Sequence, residues 1–139
     1  MSGVFQIGCL MLQSAYFEKI LEFNTFIIDD HRVIAKLFHD KTIIKRKSNI
    51  IYRMSAQKWQ GAYFLRYLND RMEEKGFLFF LECNCNYGEV MAYMRMGLTR
   101  FAVTNTRNSG NKSIKKFIKS FNGCCFEIDE FKLVQNLKI

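Results

Sequence analysis

Apolar positions along the chain alternate between two spacings, one typical of strands and one typical of amphipathic helices. Near the start, residues 4–12 form an apolar run that predicts a strand. Ser14 is placed to cap a helix over residues 15–23, after which residues 25–28 resume an extended apolar run. This part of the chain is therefore predicted to form a strand, a helix and a second strand.

The pattern that follows favours antiparallel pairing. Asp29 and Asp30 indicate a turn, and residues 32–38 and 41–46 have the pattern of two hairpin arms. Residues 49–54 predict one more strand.

The second half of the chain has clearer periodicity. Residues 60–75 carry apolar side chains at helical spacing, and Gly76 is placed to end that helix. The continuous apolar run at residues 77–81 is typical of a strand covered on both faces. Further strands are predicted at residues 99–104, 124–128 and 131–134, with a helix over residues 112–121 between the first two.

Helices between strands, with antiparallel segments at both ends, favour an α/β protein of the α+β kind. We expect a mixed, mostly antiparallel central sheet with flanking helices. A length of 139 residues suits one domain, and the absence of proline leaves no segment typical of a rigid linker. The predicted domain spans residues 1–139, with a core over about 1–104 and a C-terminal helix-strand extension over about 105–139.

The composition indicates a folded, basic protein. Hydrophobic residues make up 49% of the chain, which is enough to build a core, and the formal net charge is +8. Such a charge favours a polyanionic partner, either nucleic acid or a phosphorylated cofactor. Four amines fall close together on the last predicted helix and could contact a polyanion or simply form a solvated face: Lys112, Lys115, Lys116 and Lys119.

The number of cysteines and the hydropathy of the chain indicate where in the cell the protein is expected. Five cysteines are an odd number, no segment resembles a secretion signal, and no apolar run approaches the roughly 18 residues of a membrane span. We therefore expect a cytoplasmic protein without a membrane partner. The spacings of Cys83 to Cys85 and of Cys124 to Cys125 are shorter than those usual in zinc sites, so no metal is predicted.

A polar, aromatic and glycine pattern follows the apolar run at residues 77–81. Asn86, Tyr93, Gly97 and Leu98 have the spacing Asn-x6-Tyr-x3-Gly-apolar. A strand followed by this pattern places an amide and a phenol near one end of a sheet. The spacing resembles the second half of the acetyl-CoA site in the GCN5-related N-acetyltransferases (GNAT), where a strand, an Asn, a helix with a Tyr, and Gly-Phe follow one another.

The resemblance implies an acyl-CoA N-acyltransferase-like fold and transfer of an acetyl group from acetyl-CoA to an amine by direct attack. It assigns Asn86 to the pantetheine arm and Tyr93 to protonation of the leaving thiolate, since a phenol stays protonated at neutral pH. Glu82 is the nearest carboxylate that could serve as general base. The alternatives are that Asn86 is a helix cap, Tyr93 a helix-face core residue, and Glu82 a solvated or salt-bridged side chain.

The same resemblance implies where the cofactor would lie. In the family, backbone amides at the start of the central helix hold the pyrophosphate, because unpaired N–H groups favour an anion. The corresponding stretch here, residues 56–62, keeps one of three pattern positions and includes Lys58, Gln60, Gly61 and Ala62. Backbone groups of the preceding strand would pair with pantetheine in a gap between residues 49–54 and 77–81, and the implied contacts there are Met54 and Ser55.

The sequence is therefore compatible with two classes of function. One is an acetyl-CoA-dependent N-acetyltransferase-like protein whose amine substrate is unknown. The other is a non-catalytic basic module, either a nucleic-acid-binding protein or a virion structural protein, because acetyltransferase-like proteins of about this length also occur in tailed phages. The second class would allow a virion-associated location.

Overall fold

The computed structural model describes residues 17–39, 47–57 and 60–137. Six strands are present in this part of the chain: β1 Asn24–Ile28, β2 Ser48–Tyr52, β3 Phe77–Glu82, β4 Arg100–Val103, β5 Cys124–Glu127 and β6 Leu133–Asn136. Helix α1 includes residues 17–22. The other helices are α2 His31–His39, α3 Met54–Gln57, α4 Ala62–Glu74, α5 Tyr87–Arg95 and α6 Ser109–Ser120, and a 3₁₀ turn spans Ile128–Glu130.

The strands form a single sheet in the order β5-β4-β3-β2-β1-β6. All five neighbouring pairs are parallel. The prediction of a mixed, mostly antiparallel sheet is therefore wrong, although the combination of strands and helices expected of an α/β protein is present.

The error arises at α2, which replaces a predicted hairpin arm. Val33, Ile34 and Leu37 are buried at helical spacing, and the carboxylate of Asp30 accepts a hydrogen bond from the backbone amide of Arg32 in the first turn. A helical connection carries the chain back along the sheet, so β1 and β2 run in the same direction. The second predicted arm, residues 41–46, lies outside the described residues.

Other elements agree with the sequence pattern. The helix predicted at residues 60–75 is α4, and the apolar run at 77–81 is β3, which is buried along its whole length. Gly76 follows α4 with φ +89°, a conformation that side chains with a Cβ rarely adopt, so it ends the helix as expected. The strand predicted at residues 4–12 lies outside the described part of the chain.

Each face of the sheet is covered by a different set of elements. Helices α2, α4, α5 and α6 pack on one face, where they contribute Leu37, Leu65, Val90 and Ile118 to the main core. Consecutive strands from β1 to β5 are neighbours in the sheet, and right-handed connections therefore place these helices on the same side. A second core lies on the opposite face, where Ile20 of α1 and Phe131 of the segment after β5 pack against sheet residues that include Phe80 and Phe126.

The connection from β5 to β6 requires the sheet to curl. These strands are the two edges of the sheet, and a flat sheet of six strands would separate its edges by about 24 Å. Residues 128–132 must also return from one end of the sheet to the other, yet they can span only about 20 Å when fully extended. The chain therefore crosses the inner side of a curled sheet. There the centroid of the Phe131 ring lies 5.4 Å from that of Phe80 and 5.6 Å from that of Phe126.

The residues predicted as a C-terminal extension belong to the same sheet as the rest. β5 pairs with β4, and β6 pairs with β1 at the opposite edge.

Candidate functional site

Several of the predicted site residues lie at the carboxyl ends of the parallel strands, at one end of the sheet. Ligand sites of open parallel sheets lie outside this end, because the loops and helix N-termini converge there. Glu82 ends β3, Met54 follows β2, and Asn86 precedes α5. The β2–β3 register ends at Tyr52 and Leu81, which places Arg53 and Glu82 beside each other at the next position.

The Glu82 carboxylate is buried and both of its oxygens have protein partners. Its side chain is 6% exposed, Oε1 accepts from the Met54 amide at 2.8 Å, and Oε2 lies 3.1 Å from Nη2 of Arg53. A buried charge is tolerated when it is paired and hydrogen-bonded in this way. The arrangement matches the salt-bridged alternative for Glu82 and fixes the turn from β2 into α3. Its role as a general base stays a prediction.

A second layer of hydrogen bonds supports this turn. The Gln57 side chain donates to the carbonyl oxygens of Tyr52 at 2.8 Å and Glu82 at 3.1 Å. The Tyr52 hydroxyl lies 3.0 Å from the Ala56 carbonyl oxygen and 2.9 Å from Oε1 of Gln60, and burial raises the pKa of this phenol. Gln60, one of the predicted cofactor contacts, is therefore engaged within the protein.

Asn86 and Tyr93 both interact within α5. Oδ1 of Asn86 accepts from the Glu89 amide at 3.1 Å, so Asn86 is the N-cap of the helix. The Tyr93 hydroxyl donates to Oε1 of Glu89 at 2.8 Å, one helical turn away. Tyr93 is 8% exposed, and burial together with this contact raises the pKa of its phenol. Both findings correspond to the alternatives of a helix cap and a helix-face core residue.

The gap expected between β2 and β3 is closed. The two strands pair at every position from Ser48 with Phe77 to Tyr52 with Leu81. Ser55 is exposed in α3, Gly61 occupies the N-cap position of α4, and Ala62 begins that helix. Lys58 lies outside the described residues. The described strands thus leave no opening for a pantetheine arm between them.

Cys83, directly after β3, and Cys124 and Cys125 of β5 are buried thiols. A hydrogen bond with Cys125 and burial raise the pKa of the Cys83 thiol, and burial raises the pKa of Cys124 to about 12. Within the described residues, no group of three or more His, Cys, Asp or Glu side chains is positioned to hold a metal ion. None of the helices in the described part of the chain is long and apolar enough to cross a lipid bilayer.

Helix α6 presents basic side chains to solvent. Its inner side is formed by Asn111, Ile114 and Ile118. On its outer side lie three exposed lysines, here called the basic face: Lys112, Lys116 and Lys119.

The fourth predicted lysine behaves differently. Lys115 is partly buried, and its Nζ lies 2.5 Å from Oε1 of Glu130 and 4.0 Å from Oε2 of Glu127. Its charge is therefore neutralised within the protein. No carboxylate among the residues that the structure describes forms an ion pair with the basic face.

Three aromatic rings lie along the junction of α5 and α6, here called the aromatic ridge: Tyr87, Phe117 and Phe121. The Phe117 ring centroid is 5.0 Å from that of Tyr87 and 5.0 Å from that of Phe121. Phe117 is partly buried, whereas Tyr87 and Phe121 are 42% and 52% exposed. Sequence reasoning missed this ridge because Tyr87 and Phe117 belong to different helices that are separated by β4.

Comparison with known proteins found no matching family model, no matching curated protein and no matching solved structure.

Proposed function

We propose that the protein binds nucleic acid through the basic face of α6. The main support is that Lys112, Lys116 and Lys119 are exposed on one side of a helix and have no ion-pair partner among the described residues. The net charge of +8 adds a general attraction for polyanions.

Charges elsewhere on the described surface are more often neutralised. Arg66 pairs with Asp70, Arg71 with Glu74, and Arg100 with Glu73, and similar pairs join Arg32 to Asp30 and Lys132 to Glu22. A cationic side chain already paired with a carboxylate has little net charge to offer a phosphate. The basic face keeps its charge, which supports its role as the contact surface.

The spacing of the three amines suits a phosphate backbone. Lys112, Lys116 and Lys119 lie one and two turns apart, so their Cα atoms span about 10 Å along the helix. That length corresponds to about three nucleotides of a strand that rises about 3.4 Å per nucleotide. Flexible lysine side chains can follow a backbone without reading its sequence.

The experiment measures binding of a fluorescein-labelled oligonucleotide by anisotropy over a range of salt concentrations. Replacing Lys112, Lys116 and Lys119 together by Gln should weaken binding at least about tenfold at low salt. The slope of log affinity against log salt should also fall in magnitude by about 2, since fewer phosphates are neutralised. The control is Lys36→Gln, which removes an exposed amine from α2 and should leave both quantities unchanged. Absence of binding by the unmodified protein, or an unchanged slope in the triple variant, would overturn the proposal.

Acetyl transfer stays a prediction from the sequence resemblance. The closed β2–β3 pair and the engagement of Glu82 and Tyr93 within the protein give it no support from geometry. For this reason nucleic-acid binding is the preferred function.

A further inference from the structure

We infer that the aromatic ridge makes this surface selective for single-stranded nucleic acid, by stacking unpaired bases on Tyr87 and Phe121. The inference rests on the proposed function and names its substrate class. It follows from the position of two half-exposed rings beside amines that have no carboxylate partner among the described residues.

The ridge offers ring surface to solvent at two points on a fixed support. Phe117 packs against the main core and contacts both neighbours, at 83° to Tyr87 and 60° to Phe121. Tyr87 is held at the start of α5, and Phe121 follows the last turn of α6. The two exposed rings are thus positioned by folded elements, so stacking a base on them requires little ordering of the protein.

The basic face and the ridge lie on adjacent sides of α6. At about 100° per residue, Ser113 and Ser120 fall between Lys116 and the two phenylalanines around the helix. A strand whose phosphates follow the basic face therefore has its bases directed toward the ridge. In a duplex those bases are paired and stacked inside the helix, so only a single strand can use both surfaces.

The charge beside the ridge favours an anionic partner over an apolar one. An exposed aromatic group of similar size occurs on α4, where the stacked rings of Phe64 and Tyr67 have centroids 6.2 Å apart and Tyr63 is 81% exposed. There the intervening Arg66 is paired with Asp70. The α4 rings thus provide a matched control: exposed aromatic surface in which the basic side chain between the rings in sequence is already neutralised.

The test compares a labelled oligothymidine with a duplex of equal length. Tyr87 and Phe121 are both changed to Leu, which removes the rings and keeps apolar volume, and the melting temperature verifies that the variant folds. Single-strand affinity should fall about tenfold or more, with duplex affinity and the salt slope unchanged, because stacking and charge neutralisation are separate contributions. The matched Tyr63→Leu, Tyr67→Leu variant of α4 should bind the single strand as the unmodified protein does.

The outcomes separate the inference from the proposed function. Full single-strand affinity in the Leu variant overturns the inference, and so does equal affinity of the unmodified protein for single strand and duplex. An equal loss in a Tyr63→Leu, Tyr67→Leu control also overturns it, because the effect would not belong to the ridge. In each of these cases, a loss of binding in the Lys112, Lys116 and Lys119 triple variant would still uphold the basic face as the nucleic-acid contact.

Discussion

The guanidinium of Arg53 lies 3.1 Å from the buried carboxylate of Glu82, across the ends of the paired strands β2 and β3. Glu82 also accepts the Met54 amide, so a single side chain neutralises one cation and satisfies the first amide of α3. This contact joins the two central strands at their carboxyl ends, where the loops of the sheet meet.

Changing Glu82 to Ala should therefore destabilise the fold. The substitution removes the partner of the Met54 amide and leaves Arg53 without its counter-ion. Because Arg53 is partly open to water, we expect a loss of about 2 kcal/mol, below the 3–5 kcal/mol typical of a fully buried pair. Urea unfolding measures this change. Glu82→Gln keeps an acceptor oxygen and should lose only about half as much, whereas equal losses for Ala and Gln would contradict the role of the hydrogen bond to Met54.

Changing Tyr93 to Phe should lower the free energy of unfolding by about 1 kcal/mol, the usual net value of one hydrogen bond. The ring stays in place and only the donor to Glu89 is lost. The matched control is Tyr67→Phe, which removes a hydroxyl from an exposed ring on α4. Chemical denaturation of both variants should show a loss for Tyr93 alone; equal stabilities would mean that the contact with Glu89 contributes nothing.

Acid should remove the stabilisation supplied by Asp30. Side-chain and backbone hydrogen bonds from Arg32 lower the pKa of Asp30 from 3.8 to about 2. A carboxyl group whose pKa is lower in the folded state stabilises fully above its unfolded pKa, and this contribution is lost as the pH falls from about 4 toward 2. The difference in unfolding free energy between the unmodified protein and Asp30→Asn should thus be constant above about pH 5 and shrink below pH 4. A difference that does not change over this range would show that the ion pair does not shift the titration.

Cysteine alkylation should distinguish the loop thiol from those of the strands. Cys85 is exposed, whereas Cys124 and Cys125 are buried and the pKa of Cys124 is raised to about 12. Since the thiolate is the reactive form, iodoacetamide near neutral pH should modify Cys85 first and leave the two β5 thiols intact in the folded protein. Peptide mass spectrometry over time measures each site, with a sample in denaturant as the control. Equal rates for Cys85 and Cys124 without denaturant would contradict the packing of β5.

Local signals in the sequence were sufficient for some elements. The continuous apolar run of β3, the helical spacing of α4 and the glycine at position 76 each act within a few residues, so their structures could be predicted. The cap at Asn86 is local in the same sense, and it was kept as an alternative to a cofactor contact.

The direction of the strands depended on one ambiguous segment. Val33 and Ile34 are β-branched and favour a strand, yet together with Leu37 they also form the buried side of a short helix. Packing on the sheet decides between strand and helix for this segment. The neighbouring residues in the sequence do not indicate that packing. Once α2 is a helix, β1 and β2 become parallel, and the hairpin on which the antiparallel prediction depended is absent.

The side-chain clusters needed the tertiary structure. Arg53 and Glu82 become neighbours only when the β2–β3 register is known, and the Tyr87–Phe117 contact depends on how α5 and α6 pack. The four lysines of α6 were visible in the sequence, but only the ion pairs of Lys115 separate it from the three that remain available.

The pairing of β6 with β1 has a consequence for synthesis of the protein. Asn24 lies opposite Leu133, so among the described residues β1 has no strand partner on this side until residue 136 has left the ribosome. Contacts so distant along the chain form slowly, and an unpaired strand edge invites association with other chains in the meantime. Nascent chains that stop before Leu133 should therefore depend on chaperones to stay unaggregated.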